Sequence, residues 1–407
     1  MRIALISEHA SPLAAIGGAD SGGQNVHVAE LARALGERGH HVTVYTRRDD
    51  PGLADRVRVG PGMTVEHVPA GPATVLPKDT LLPYMARFGD HLAGRWLVEP
   101  PDVVHAHFWM SGLAAQRGAG RVPGTGIPMV QTFHALGVVK RRHQGVLDPS
   151  PPSRLRLEAG LARDAALVVA TCTDEVTELT ALGVPASRVA VVPCGVDLDR
   201  FTPSGPRAAR DRRHRILSLG RLVERKGVET TIRAMTAVPD AELVVAGGGD
   251  AIADAEQARL TAVAQACGVP DRVRLVGQIP RQDVPALLRS ADVVVSVPWY
   301  EPFGMVPLEA MACGVPVIAS AVGGHLDTVV DGRTGALVPP RDPAALAQRL
   351  RELLADPARL AAIGSAAAAR ARTRYGWSRI AVETESLYRQ VLAGDATRAA
   401  TAPGGQS

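Results

Sequence analysis

Pro298-Trp-Tyr-Glu-Pro-Phe-Gly-Met-Val-Pro-Leu-Glu-Ala-Met-Ala-Cys-Gly314 stands between two apolar runs, Val293-Val-Val-Ser-Val297 and Val315-Pro-Val-Ile-Ala319. That succession predicts strand, loop, short helix, strand. A proline is tolerated only in the first turn of a helix, so Pro307 places the helix start near Gly304 or Met305, and Gly314 stops it. Glu301 then lies in the loop before the helix and Glu309 one turn inside it. Glycine at the helix entrance lets a ligand come close to the backbone, and the free N–H groups of a helix start attract an anion. Two carboxylates beside an anion cradle suit a hydroxyl-rich, phosphorylated ligand. As bare spacing, the two glutamates read more simply as a helix cap and a solvated side chain; the residues between them carry the ligand reading.

Upstream of this stretch, Ile216-Leu-Ser-Leu-Gly-Arg221 reads as a strand, followed by a loop with Glu224, Arg225 and Lys226 and a helix from Gly227. Arg221 at a strand end and Lys226 just before a helix start could aim two cations and backbone donors at one anion, although a lone basic pair is more often solvated. Further strands are expected at Glu242–Ala246, before Gly247-Gly-Gly249, and at Val273–Val276, ending in Gly277. Downstream, Gly323-Gly324 precedes helices expected at 343–354, 357–372 and about 377–392.

The first half repeats the same grammar. Residues 2–7 form a strand, Gly17-Gly-Ala-Asp-Ser-Gly-Gly23 a glycine-rich loop, and Val28, Leu31 and Leu35 one face of a helix that Gly39 stops before the strand His41–Tyr45. Strand, glycine loop, helix, strand opens a Rossmann-like sheet. The loop does not match G-x-G-x-x-G and no acidic residue follows the second strand in a ribose-binding position, which disfavours a dinucleotide dehydrogenase while leaving a diphosphate able to approach Gly22 and Gly23. More strands are read at Val65–Val68, Asp102–Ala106, Pro128–Phe133 and Ala166–Ala170. His105, His107 and His134 fall at or just past the carboxyl ends of such strands, the side that faces a ligand crevice in an open α/β sheet. Taken singly, each is more simply a satisfied structural histidine. A basic cluster, Lys140 to His143 with Arg154 and Arg156, follows, and such runs are usually solvated faces.

At 407 residues two domains are expected, and the 46% hydrophobic and 3% aromatic content is that of a water-soluble α/β protein. No apolar run approaches the length of a membrane span, and the N-terminus enters a strand directly, so a cytoplasmic protein is expected. The formal charge of +4, without a basic stripe interleaved with aromatics, fits an anionic small ligand and disfavours nucleic acid. Cys172, Cys194, Cys267 and Cys313 are widely spaced and read as free thiols. Of 45 Lys and Arg residues only Lys78, Lys140 and Lys226 are lysine. In so arginine-rich a chain these three are candidates for places that need a compact ammonium.

Glu301-Pro-Phe-Gly-Met-Val-Pro-Leu-Glu-Ala-Met-Ala-Cys-Gly closely resembles the signature of the retaining, nucleotide-sugar-dependent glycosyltransferases of family 4. Gly-Arg-Leu-Val-Glu-Arg-Lys-Gly at 220–227, Gln-Thr-Phe-His-Ala-Leu-Gly-Val-Val-Lys at 131–140 and Asp-Ser-Gly-Gly-Gln-Asn-Val at 20–26 resemble further segments of that family, in the family's order. The resemblance extends to about residue 390 and is similar in kind to the actinobacterial inositol-phosphate and sucrose-phosphate types. It implies a GT-B fold: α/β, two facing Rossmann-like domains with an interdomain cleft. The expected parts are an acceptor domain over 1–200, a linker over 201–214, a nucleotide-sugar domain over 215–375, a helix over 376–393 packing back on the first domain, and a disordered tail over 394–407.

By the same resemblance, Arg221 and Lys226 bind the diphosphate, Glu301 the donor-sugar hydroxyls and Glu309 the ribose, with His134 beside the sugar. Gly22, Gly23, Gly277, Phe303, Gly304, Met305 and Val306 line the donor site. Lys78, Lys140 and Arg154 match positions on the acceptor side. Inositol-phosphate-accepting members also use a Tyr and a Thr, where this chain has Phe108 and Ala135; an anionic or polyol acceptor stays open. Asp197-Leu-Asp199 belongs to a segment, Pro193 to Phe201, resembling the family's interdomain connection and not a D-x-D metal site, and no metal is expected anywhere in the chain. The implied reaction is hexosyl transfer from a UDP-, GDP- or ADP-sugar, a substrate and not a cofactor, to an acceptor hydroxyl. A nucleotide-sugar epimerase and a non-catalytic nucleotide-sugar binder remain as alternatives, and a homodimer is compatible with the sequence.

Overall fold

The computed structural model describes residues 1–13, 22–124, 126–249 and 251–401. The start of the glycine loop and the end of the expected tail, 402–407, lie outside them. Apart from the segment 14–21, the chain divides into a first unit, up to Pro193 and again from Ser378, and a second unit, Cys194–Trp377.

The first unit runs β1 (Arg2–Ile6), α1 (Gly23–Glu37), β2 (His41–Arg47), β3 (Arg56–Gly60), β4 (Met63–Val68), α2 (Met85–Val98), β5 (Val103–His107), α3 (Trp109–Ala119), β6 (Met129–Thr132), α4 (Gly137–Gln144), α5 (Arg154–Asp164), β7 (Leu167–Ala170), α6 (Thr173–Ala181) and β8 (Val189–Val191). Its sheet has the order β3-β4-β2-β1-β5-β6-β7-β8. Pairing is parallel except at the edge, where β3 lies antiparallel to β4.

The second unit runs β9 (His214–Leu219), α7 (Val228–Ala234), β10 (Ala241–Ala246), α8 (Ala251–Ala266), β11 (Val273–Gly277), α9 (Val284–Ser290), β12 (Val293–Ser296), α10 (Met305–Ala312), β13 (Val317–Ser320), α11 (Gly324–Thr328), β14 (Gly335–Val338), α12 (Pro343–Leu354) and α13 (Pro357–Arg374). Its sheet is parallel, in the order β11-β10-β9-β12-β13-β14.

Helices cover both faces of a parallel sheet, so its strands are continuous apolar runs rather than alternating ones. In the second unit Ile216, Leu243, Val245, Val293, Val295 and Ile318 pack to one side with Leu346 and Leu350 of α12. The intervening Leu217, Val244, Val294 and Val317 pack to the other with Leu308 and Met311 of α10. Period-two alternation thus distributes one run between two cores. The first unit buries Phe88, Leu92 and Trp96 of α2 against Val104, Ala106 and Met110.

The last helix, α14 (Trp377–Thr401), is joined to the first unit by Glu385, which pairs with Arg38 at 2.5 Å, and by Tyr388, whose hydroxyl lies 2.7 Å from His105 Nδ1. Its backbone stays helical past residue 394, where the sequence expects a disordered tail. The four cysteines form no disulfide, and three of them are buried.

Candidate active site

In the second sheet β9 lies between β10 and β12, so the strand order reverses beside β9. In open α/β sheets that switch point opens a crevice at the carboxyl ends of the strands. The loop after β9 carries Arg221, Arg225 and Lys226, and the loop after β12 carries Trp299 to Gly304. The two loops are bound to each other: the Trp299 N–H donates to the Arg225 carbonyl at 2.9 Å, and Arg225 lies 5.2 Å above the Tyr300 ring. Gly227 makes the approach possible, since a Cβ there, at φ +72°, would meet the Val297 carbonyl at 2.0 Å.

Lys226 Nζ donates to Glu301 Oε2, joining the first loop to the second by an ion pair. Burial resists ionisation of Glu301, but Lys226, His325 and Arg225 override it and bring the carboxyl down to about 2. Burial pushes the Lys226 ammonium down, Glu301 pulls it up, and the cations Arg225 and Arg221 tip the balance downward. Glu301 is thus a fixed acceptor of hydrogen bonds and Lys226 a partly desolvated cation.

The helix α10 starts at Met305 after Gly304 in the left-handed region, φ +82°, and Gly314 follows its end at φ +73°. This matches the start and stop expected from Pro307 and Gly314. A Cβ at Gly304 would lie 2.9 Å from Cδ2 of His325, so glycine is needed for both its φ and its neighbour. His325 is buried, with Nδ1 3.1 Å from the Ser320 carbonyl. Phe303, Met305 and Val306 are half-buried around this entrance. Gly277, at φ +72°, has open space where a side chain would be.

Glu309 is buried at 3% exposure and is bound by Arg281 at 2.5 Å, which also lies over the Phe201 ring. Burial raises its carboxyl above the usual range against the pull of Arg281. A solvated side chain is therefore excluded for Glu309.

In the first sheet β1 sits between β2 and β5, a second switch point. Gly22 caps α1 with open space in place of a side chain, and Gly23 is the exposed first residue of that helix. Nearby, Gln24 donates to the His107 carbonyl at 3.2 Å. His134 lies just past β6 with φ +60°, and its Nε2 is 3.0 Å from Nδ1 of His107. Burial holds both imidazoles well below their usual pKa, as it does His27, brought to about 4. These rings are neutral near pH 7.

Lys140 and Arg154 share Ser150 in one polar network, and Lys78 lies next in sequence to its acidic member Asp79. Lys78 begins a short 3-10 turn whose Asp79 is 4.0 Å from Lys140. Lys140 also contacts Asp148 at 2.9 Å and Ser150 at 3.0 Å. Arg154, only 2% exposed, donates to Glu158 at 2.6 Å, to Ser150 at 3.0 Å and to the Ala135 carbonyl at 2.6 Å, and stacks 5.2 Å from the Phe108 ring. Asp197 closes a local turn, accepting from the backbone N–H groups of Asp199 and Arg200.

Arg225, Arg281, His325 and His27 were not singled out from sequence. Arg281 stands 28 residues from its partner Glu309, and His325 is brought under Gly304 by the β13–α11 turn; no local spacing marks either. His27 stands within the helix that follows the glycine loop, where it reads as an ordinary helical residue.

Residues 21–200 match the family described as Glycosyltransferase Family 4, and residues 203–370 that described as Glycosyl transferases group 1. The D-inositol 3-phosphate glycosyltransferase of Xylanimonas cellulosilytica is 38% identical over 96% of this chain and 96% of its own length. That of Nocardiopsis dassonvillei is 36% identical over 96% and 95%. Among solved structures, sucrose-phosphate synthase from Thermosynechococcus elongatus superposes with a TM-score of 0.88 at 34% identity, covering 97% of this chain and all of the other. No described helix is long and apolar enough to cross a membrane.

Proposed function

Since the chain belongs to glycosyltransferase family 4, the GT-B enzymes that move a sugar from a nucleotide-sugar donor with retention, we propose that it transfers a hexosyl group to a hydroxyl of a phosphorylated polyol or sugar. The observation that carries the donor half is the Lys226–Glu301 pair at the β9/β12 switch, beside the glycine entrance of α10. Arg221, Lys226 and the first N–H groups of α10 stabilise the diphosphate as the bond to the anomeric carbon breaks. Preorganised donors of this kind supply the largest share of such rate enhancements. Glu301, ionised and fixed, accepts from donor-sugar hydroxyls, and Glu309 exchanges part of its bond to Arg281 for the ribose hydroxyls. Gly277 leaves room for the base, and His134 lies beside the sugar. The acceptor oxygen bonds to the anomeric carbon as the carbon–oxygen bond to the diphosphate breaks, and its proton goes to the departing phosphate oxygen.

Acceptor phosphate is assigned to Lys78 and Lys140, because Arg154 is closed in by Glu158, Ser150 and Ala135 and acts by holding that wall. The relatives named for D-inositol 3-phosphate and for sucrose phosphate both point to a phosphorylated acceptor. Phe108 and Ala135 contribute no hydroxyl, which favours an acceptor whose recognition rests on its phosphate.

UDP-, GDP- and ADP-sugars are to be incubated with and without D-inositol 3-phosphate or hexose phosphates, with nucleoside diphosphate and product followed together. Acceptor-dependent release in equal amounts with a phosphoglycoside supports the proposal. Formation of an isomeric nucleotide sugar without acceptor favours an epimerase and overturns it.

A further inference from the structure

Three histidines that are far apart in sequence meet at the carboxyl ends of β5 and β6. His27 projects from α1, His107 is the last residue of β5, and His134 follows β6 by two residues. One ring nitrogen from each lies within 4.8 Å of the other two. Their ring centroids are 5.0 to 5.5 Å apart, and the His107 and His134 rings are stacked at 24°. We propose that His27, His107 and His134 form a binding site for one borderline-soft transition-metal dication of the Zn²⁺ class.

Geometry favours it. Ligand nitrogens about 2.0–2.1 Å from a tetrahedral Zn²⁺ stand about 3.4 Å from one another. One pair is already at 3.0 Å, so small rotations of the rings close the set with the backbone in place. The supports are rigid: a helix, a strand end and the residue after a buried strand. A second layer holds them, since His105 stacks 4.2 Å from His107 and is itself pinned between the Tyr388 hydroxyl at 2.7 Å and Thr132 Oγ1 at 2.8 Å. Such outer contacts orient imidazole ligands.

The nitrogens that such an ion would take include Nδ1 of His107 and Nε2 of His134, 3.0 Å apart, and Nε2 of His107, buried and without a hydrogen-bond partner among the described residues, is the one left to carry the ring proton. The donor chemistry selects the ion: three imidazoles suit Zn²⁺, Co²⁺, Ni²⁺ or Cu²⁺, whereas Mg²⁺ and Ca²⁺ take oxygen ligands. Three histidines leave a fourth position for water or a substrate oxygen. Among the described residues this is the one cluster of three or more His, Cys, Asp or Glu side chains so arranged.

One consequence rests on the reading of His134 given above: a metal that takes its lone pair withdraws it from the donor sugar, so occupancy slows transfer. The test uses the full chain without a histidine tag, titrated with Co²⁺ as the spectroscopic stand-in and displaced by Zn²⁺. Expected is a ligand-field band that saturates at one ion per chain and weakens at least a hundredfold in His27→Asn and His107→Asn, each checked for unchanged circular dichroism in chelator. X-ray absorption of the Zn²⁺-loaded wild-type chain, which needs no variant, should give three imidazole nitrogens. No saturable band, equal Co²⁺ binding by folded variants, or a shell of oxygens overturns the site. Stoichiometric binding with an unchanged transfer rate keeps the site and sinks the placement of His134 beside the sugar.

Discussion

Glu301 in the second unit and Glu175 in the first are both carboxylates taken out of water, and they end at opposite extremes. Glu301 is faced by Lys226, Arg225 and His325 and is brought down to about 2. Glu175 accepts from the N–H and hydroxyl of Thr171 at 2.8 and 2.9 Å, has no cation paired with it among the described residues, and is pushed up by burial to about 7. Burial is common to both; the neighbouring charge decides the sign. The same contrast separates the two units. At α10 each carboxylate is paired with a cation from another loop, Glu301 with Lys226 and Glu309 with Arg281, so a ligand that is both anionic and hydroxyl-bearing can share both partners. In the first unit Arg154 is closed in by Glu158, Ser150 and the Ala135 carbonyl, and the histidines lend neutral rings instead of charge.

The largest expected effect concerns Arg154. Its replacement in Arg154→Ala strands Glu158 in the core, a loss of about 3–5 kcal/mol in stability by denaturant titration, typical of breaking a buried pair. An unchanged midpoint would mean that the pair is not closed in as described. Lys226→Ala should lower kcat/KM about 10²–10³-fold in protein that is still folded by circular dichroism, on the proposed role of Lys226 at the departing diphosphate, and should lower the melting temperature less than Arg154→Ala does because the Lys226–Glu301 pair is less completely buried. Lys226→Arg should not restore it, since a guanidinium fork is a poor substitute for a compact ammonium.

Glu175 gives a pH prediction with the opposite sign from Glu301. Its folded pKa is raised from 4.5 to about 7, so its favourable contribution is present below 4.5 and is lost as pH rises through about 7. Glu175→Gln should therefore gain about 1–3 kcal/mol over the wild type at pH 8 and little at pH 4.5. A gain of equal size at both pH values would contradict the assignment. The smallest effect is expected at Lys78: Lys78→Ala should raise KM for a phosphorylated acceptor about tenfold, about 1.4 kcal/mol, and leave donor KM alone. Equal changes in both would remove Lys78 from the acceptor side.

What could be read in advance follows from how each feature is written along the chain. The α10 entrance is contiguous: Gly304 and Gly314 permit the left-handed backbone at the two ends and Pro307 restricts the first turn, so start, stop and the place of Glu301 were legible. Continuous runs such as Val293–Val297 announced a sheet buried on both faces. The edge strand β3, Arg56-Val-Arg-Val-Gly60, was not read, because it is a short antiparallel addition whose charged alternation looks like loop. Arg281 on Glu309 and His27 beside His107 and His134 are products of topology, brought together by strand order and visible in no local spacing. Arg154 was legible as a cation and not as a closed one: Glu158 stands one helical turn on, but the Ala135 carbonyl and the burial of the pair come from tertiary packing.

Binding of a nucleoside diphosphate, followed calorimetrically in the wild type, Lys226→Ala and Lys140→Ala, tests most directly that the second unit holds the donor diphosphate. The wild type and Lys140→Ala should bind the preferred nucleotide alike, and Lys226→Ala at least about tenfold more weakly, about 1.4 kcal/mol. Equal affinity in all three, or a loss confined to Lys140→Ala, would contradict it.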